Sequence, residues 1–128
     1  MPKWIDHIVV RVKDLDQSLQ DYESKLGMKA RGPAEEAAHL GMKRAILPLG
    51  DSGRFIELAE PLGEGGAIGR SLERHGEGLH LVALAVDDLG KATEEMKANG
   101  ARVIEADNMV FIHPADGHGV LYQLIERK

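Results

Sequence analysis

Several features are absent from the chain, and each absence excludes a class of protein. Cysteine does not occur among the 128 residues, which excludes disulfides and thiolate chemistry and fits a reducing cytosol. No apolar run approaches the roughly 20 residues of a membrane-spanning helix, and no charged-then-apolar leader is visible. The net charge of −5, without a basic stripe, argues against nucleic acid as a partner. We therefore expect one cytoplasmic domain that binds neither membranes nor nucleic acids.

The chain contains an internal repeat. Residues 7–15 match residues 81–89 at an offset of 74. At an offset of 66, residues 42–48 match 108–114, and residues 53–60 match 119–126. In this alignment Ile46 corresponds to Ile112, and Glu60 corresponds to Glu126. A fixed repeat indicates two copies of one supersecondary unit. Two copies predict a pseudo-twofold axis, with a cleft where the equivalent strands meet.

Each half of the sequence has the pattern of a strand, a helix and three further strands. In the first half the helix begins at the N-cap Asp14, with Gln17 three residues on, and ends at Gly27. Strands are predicted near 5–12, 28–31, 43–48 and 54–60, and again near 79–86, 102–106, 108–113 and 120–125, with the second helix at 89–99. The pattern predicts a single α+β domain, residues 1–128, with module one at 1–60, a linker at 61–78 and module two at 79–128.

Polar side chains lie within strands whose other residues are apolar. Because strand side chains alternate between faces, His7 and Glu57 lie on the face opposite their apolar neighbours. By the repeat, His7 corresponds to Leu81 and Glu57 corresponds to Gln123, so the four positions are predicted to face one cleft. An imidazole, a carboxylate and an amide oxygen suit a divalent metal. The alternative is that His7 and Glu57 only hydrogen-bond each other across adjacent strands.

Several short motifs carry a family resemblance over essentially the whole chain. They are Asp6-His7-Ile8, Ile56-Glu57-Leu58, Gly76-Glu-Gly-Leu-His80, Val86-Asp-Asp-Leu89, Ile112-His113-Pro114 and Gly119-Val-Leu-Tyr-Gln123-Leu. With these motifs the chain resembles the vicinal oxygen chelate (glyoxalase, bleomycin resistance and dioxygenase) superfamily and, within it, the methylmalonyl-CoA epimerases. The resemblance implies two tandem βαβββ modules that form an open, barrel-like mixed sheet around a central cleft.

The resemblance also implies roles for individual residues. Family members hold Co, Mn, Ni, Zn or Fe and use the metal to stabilise an enolate, and the matching ligand positions here are His7, Glu57 and Gln123. Leu81 stands where the family has a fourth ligand, a histidine, so the metal is expected to bind weakly or not at all. Epimerases carry acid/base carboxylates at the positions of Gln123 and Arg44. We take Glu57 and Arg44 as the candidate catalytic residues.

Two functions follow from these observations, together with a third option, a substrate-specialised relative that uses Arg44 as an anion clamp. One is a metal-dependent isomerase or lyase, epimerase-like or glyoxalase-like, which acts on a small acyl thioester such as an acyl-CoA or on a 2-oxo compound. The other is a metal-free protein of the same fold that sequesters a small-molecule ligand, as the bleomycin-resistance proteins do. A homodimer is expected, because relatives of this size usually pair and a small open sheet leaves edges to cover.

Overall fold

The structure, a computed structural model, describes residues 1–63 and 65–128, so residue 64 of the predicted linker lies outside the described residues. The strands are β1 (Trp4–Arg11), β2 (Glu35–Ala37), β3 (Met42–Pro48), β4 (Phe55–Pro61), β5 (Gly78–Val86), β6 (Val103–Ala106), β7 (Met109–Ile112) and β8 (Tyr122–Glu126). The helices are α1 (Leu15–Leu26), α2 (Ala67–His75) and α3 (Leu89–Ala98), with a 3-10 turn at Ala38–Leu40. The predicted mixed α+β fold is confirmed, since the described part forms an open sheet of eight strands with three α-helices.

The chain divides into two compact units. The first unit comprises residues 8–80, and its strands follow the order β2-β3-β4-β1. The second unit comprises residues 1–7 and 81–128, and its strands follow the order β1-β5-β8-β7-β6. Each unit therefore contains one copy of the repeated helix and the strands that follow it.

Helix α1 of the first unit begins with two carboxylates. Asp14 Oδ1 accepts the N–H of Gln17 at 3.0 Å, as the predicted N-cap requires. Glu60 Oε1, from the end of β4, accepts the N–H of Leu15 at 2.8 Å. At the other end Gly27 adopts a left-handed conformation with a φ of 68°. The predicted start and end of this helix are confirmed.

Helix α3 of the second unit begins in the same way. Asp88 Oδ1 accepts the N–H of Lys91 at 3.0 Å. Glu126 Oε1, from the end of β8, accepts the N–H of Leu89 at 2.9 Å. The two copies thus share an aspartate cap and a glutamate from the last strand, which confirms the predicted correspondence of Glu60 with Glu126.

Each unit has its own apolar core between its helix and its strands. The buried residues are Val12, Leu15, Ala45, Leu47 and Leu58 in the first unit, and Val86, Ala92, Val110, Ile112 and Leu124 in the second. Leu58 pairs with Ala45, whereas Leu124 pairs with Val110. Directly opposed residues of antiparallel strands share a face, so Ala45 corresponds to Val110. The predicted offset of 66 between β3 and β7 is therefore wrong by one residue.

Because of the one-residue difference, the residues of β3 and β7 that were matched by sequence lie on opposite faces. The chain from Val110 to Leu124 is one residue longer than the chain from Ala45 to Leu58, because the β7–β8 connection has one residue more. Ile112 packs in the second core. Ile46 does not correspond to it, because Ile46 lies opposite Glu57, on the other face of its strand. A slip of one residue moves every side chain of a strand to the other face.

The predicted strand at 28–31 is also wrong. In the described structure this segment forms no strand, and the edge strand is Glu35–Ala37, which pairs antiparallel with β3. Arg31 donates its N–H to Ile46 O at 2.8 Å, but Pro33 soon follows and has no N–H to continue a ladder.

Candidate functional site

Glu57 is a buried carboxylate at the middle of β4 in the first unit. Its residue exposure is 5%, and it lies on the face opposite the core residue Leu58, as predicted. Strand pairing places Ile46 directly opposite Glu57, so Arg44, two residues before Ile46, is a diagonal neighbour on the same face. The site thus begins with an acidic side chain and a basic side chain on adjacent strands.

Arg44 supplies positive charge next to this carboxylate. Its Nη1 lies 3.7 Å from Glu57 Oε1, and a third of the Arg44 side chain is exposed. A guanidinium stays protonated at any usable pH, so Arg44 can bind an anion but cannot accept a proton. Between the two predicted catalytic residues, Glu57 is the group that can exchange a proton.

His7 is buried in the second unit and contacts Asp6, which in turn binds Arg127. Its Nδ1 lies 2.7 Å from Asp6 Oδ2, and Asp6 is itself buried. Arg127 donates from Nε to Asp6 Oδ1 at 2.8 Å and from Nη2 to Asp6 Oδ2 at 3.1 Å. An ionised carboxylate only accepts, so His7 Nδ1 carries a proton and donates it to Asp6. This is the arrangement that orients metal-binding histidines in many proteins.

The charge of Asp6 is maintained against its burial. Burial raises the pKa of Asp6, but the hydrogen bonds from Arg127 and His7 outweigh that effect and hold the pKa below its usual value of 3.8. Asp6 therefore remains ionised at neutral pH and fixes the orientation of the imidazole.

Leu81 and Gln123 lie on one face of the second unit. Leu81 on β5 is buried, with 7% exposure, and cannot bind a metal. Gln123 on β8 is half-buried and pairs with Ala83, which is on the same face of β5 as Leu81. The convergence of these two positions with His7 and Glu57 stays a prediction.

His80, which belongs to the first unit, also has an unusual environment. Its Nδ1 is buried and has no hydrogen-bond partner among the described residues. Burial, together with the positive charge of Arg11, lowers the pKa of His80 to about 4, so the imidazole is neutral at pH 7. The Arg11 side chain donates to the carbonyl oxygens of Gly76 at 3.0 Å and Leu79 at 2.5 Å.

The described residues contain no group of three or more His, Cys, Asp and Glu side chains that could hold a metal. The predicted set of His7, Glu57 and Gln123 is not a group of this kind, because its third member is an amide, and it stays a prediction. In the described part of the chain, no helix is long and apolar enough to cross a bilayer.

Sequence reasoning missed the roles of Asp6 and Arg127. The adjacency of Asp6 and His7 was a usable signal, because a carboxylate often orients a functional imidazole. Arg127 gave no signal, since it lies 121 residues from Asp6 and no local pattern joins them.

Comparison with known proteins identifies relatives that match the chain along its length. An Ethylmalonyl-CoA/methylmalonyl-CoA epimerase of Cereibacter sphaeroides is 31% identical over 130 residues, which cover 94% of this chain and 95% of the relative. The solved structure of a Streptomyces coelicolor methylmalonyl-CoA epimerase variant, in complex with 2-nitronate-propionyl-CoA, superposes with a TM-score of 0.88 at 28% identity and covers 98% of this chain and 95% of that one. The methylmalonyl-CoA epimerase of Mycobacterium tuberculosis gives a TM-score of 0.86 at 30% identity, covering 99% and 89%.

The family model of the Glyoxalase/Bleomycin resistance protein/Dioxygenase superfamily matches residues 6–122, which include the whole first copy of the repeat and most of the second. The chain belongs to this superfamily.

Proposed function

We propose that the chain binds an acyl-CoA thioester and catalyses epimerase-like proton exchange at the carbon next to the thioester carbonyl. The observation that carries this proposal is the buried Glu57 beside Arg44, in a chain that matches acyl-CoA epimerases along its length. A carboxylate kept from bulk water and positioned by a cation suits proton abstraction from carbon.

Glu57 is the proposed proton acceptor. Its carboxylate takes the proton from the carbon next to the carbonyl, and the electrons of the broken C–H bond move into the thioester to give an enolate. Return of the proton from Glu57 restores the original configuration, whereas delivery to the opposite face inverts it. Gln123 stands where epimerases carry a carboxylate, and an amide cannot exchange a proton. We therefore expect exchange with solvent to be faster than inversion, since inversion requires a proton from water.

The sequence predicts His7, Glu57 and Gln123 as the residues that would hold a divalent metal. The hydrogen bond from His7 to Asp6 fits this role, because it holds Nδ1 and orients Nε2. Leu81 leaves the set with three protein donors, so the remaining positions would be filled by water. When bound, a divalent ion supplies positive charge that stabilises an enolate oxygen.

A metal-free binding protein is the second candidate function. Two observations favour it: Leu81 is buried where a fourth ligand would be, and the Arg44 cation already lies beside Glu57. Such a protein would bind the acyl-CoA without exchanging its proton.

The two candidates are separated by deuterium uptake from D₂O into methylmalonyl-CoA, followed by NMR. We expect slow uptake with the unmodified protein and none with Glu57→Gln, while Glu73→Gln, an exposed control on α2, keeps the original rate. Since each positioned acid or base contributes about 100- to 10,000-fold, inversion should be very weak or undetectable.

A restored variant provides the complementary test. The changes Leu81→His, Gln123→Glu and Arg44→Glu return the epimerase pattern and should raise both metal content and the rate of inversion.

For the unmodified protein, binding of methylmalonyl-CoA without any deuterium uptake would support the binding protein instead. Rapid inversion by the unmodified protein, unchanged by Glu57→Gln, would contradict the assignment of Glu57.

A further inference from the structure

Arg11 is a buried cation of the first unit that forms no ion pair with any described residue. It lies at the end of β1, and only 8% of the residue is exposed. Its hydrogen bonds go to the carbonyl oxygens of Gly76 and Leu79, which supply no counter-charge. Glu77 lies in the same segment, but its Oε2 accepts the N–H of Lys13 at 2.9 Å. A buried charge without a counter-charge is costly, so the cation of Arg11 calls for an anion.

The guanidinium of Arg11 has one nitrogen with unused donors. Nε and Nη1 donate to the backbone, whereas Nη2 donates to no described residue. Gly78 leaves the space beside Nη2 open, because a Cβ built on Gly78 would lie 3.5 Å from that nitrogen. The φ of Gly78 is 150°, a value that residues with a Cβ rarely adopt. The backbone of this segment therefore preserves the open space beside Nη2.

His80 contributes a second nitrogen that lacks a partner. Its Nδ1 is buried and forms no hydrogen bond within the described part of the chain. Burial and the nearby charge of Arg11 both lower the pKa of His80, so the ring is neutral at pH 7 and carries one N–H. A buried polar atom without a partner is rare in native proteins, and Nδ1–H can donate to an anion that also contacts Arg11.

The available donors restrict the ligand to a small anion with one negative charge. A guanidinium usually binds a carboxylate or a phosphate through two parallel N–H groups. In Arg11 the backbone already engages Nε and Nη1, so Nη2 is left for contact at a single point. One buried positive charge balances one negative charge, and a doubly charged phosphate or sulfate would bring an uncompensated charge into the same place.

We propose that Arg11 Nη2 and His80 Nδ1 bind one small monovalent anion, of the class of chloride or formate, which fastens residues 76–80 to the end of β1. The anion accepts a hydrogen bond from each nitrogen and neutralises the buried guanidinium. The site lies within the first unit and does not depend on the proposed chemistry at Glu57.

Melting temperatures in different sodium salts at equal ionic strength test the site. Chloride or formate, in place of the bulky gluconate ion, should raise the melting temperature by about 3–6 °C, as expected when the anion is about ten times more concentrated than its dissociation constant. The rise should disappear in Arg11→Met. It should fall to about a third in His80→Phe, as a tenfold loss of affinity would give. Lys13→Met removes an exposed charge two residues from Arg11 and should keep the full rise.

The line width of the chloride NMR signal measures binding directly. The unmodified protein and Lys13→Met should broaden the signal, and added formate should reverse the broadening because the two anions share one site. His80→Phe should broaden the signal less at the same protein concentration.

Equal melting temperatures in all three salts would overturn the proposal. A rise of unchanged size in His80→Phe would overturn it as well, because the anion would then bind elsewhere on the surface. If Arg11→Met does not fold, the comparison of His80→Phe with Lys13→Met decides the matter. A protein that binds chloride in this way but exchanges no proton of methylmalonyl-CoA would keep the anion site and lose the proposed function.

Discussion

Removing Arg127 should destabilise the second unit through Asp6. In Arg127→Met the buried Asp6 carboxylate, 2% exposed, loses two charged hydrogen bonds of 2.8 and 3.1 Å and keeps the contact with His7. Breaking a fully buried ion pair costs about 3–5 kcal/mol. Because 42% of the Arg127 side chain is exposed, solvent screens part of that interaction, and we expect a loss of about 2 kcal/mol in the free energy of unfolding.

The pH dependence of this loss gives a sharper test. The pKa of Asp6 is lowered in the folded protein, so its contribution is present above the unfolded value of 3.8 and is lost as the pH falls through the lower folded pKa. Urea denaturation at pH 7 and pH 5 should therefore show the same deficit, and the deficit should shrink below about pH 4. Lys128→Met, which changes an 83% exposed neighbour, should lie within about 0.5 kcal/mol of the original protein. An Arg127→Met deficit no larger than this control, or one that is constant down to pH 3, would refute the reasoning.

Four further predictions concern other parts of the molecule. Asp14→Ala and Asp88→Ala should each reduce the free energy of unfolding by about 1 kcal/mol in urea denaturation, because each removes a helix N-cap; a loss in one but not the other would contradict their equivalence. Leu81→His should raise the metal content measured by elemental analysis after purification without chelator, while the unmodified protein should hold less than one ion per chain. The pKa of His80 is lowered to about 4 in the folded protein, so the unfolded chain binds a proton at a higher pH than the folded chain does. His80 therefore lowers the stability of the fold as the pH falls below 6.5. His80→Phe should remove this loss of stability, measured as the melting temperature between pH 7 and pH 4. Light scattering at micromolar concentration should report a dimer, and a monomer would overturn the expected pairing.

The sequence predicted those parts of the fold that depend on local patterns. The caps at Asp14 and Gly27 are set by nearby residues, so their hydrogen bonds and dihedral angle could be inferred directly. The prediction of a strand at 28–31 was wrong, although its apolar and basic residues suit an edge strand. Pairing with β3 depends on Pro33, which has no N–H, and on which segment reaches β3, and that segment is Glu35–Ala37. The offset of β3 was wrong because the longer β7–β8 connection shifts the pairing, and a match between identical residues conceals such a shift.

The candidate site was predictable to a smaller extent. The face of Glu57 followed from strand alternation, and its burial is confirmed. Its contact with Arg44 was not foreseen, because it depends on the β3–β4 pairing and on the direction of a long side chain. The Asp6–Arg127 contact joins the two ends of the sequence and could be found only in three dimensions.

The different spacing of the two hairpins limits how the halves can be exchanged. A chimera that replaced the β3–β4 hairpin with the β7–β8 hairpin would import one additional residue between its core positions. The last strand of the graft must stay in register, so that Glu126 takes the place of Glu60 at the start of α1. The hairpin must then be cut one residue further upstream on its first strand. If both ends are cut by simple sequence alignment, the hairpin keeps its own pairing, but the connection that leads into its first strand is one residue too short. Symmetric designs built from a single half of this chain should therefore choose one hairpin length and use it twice.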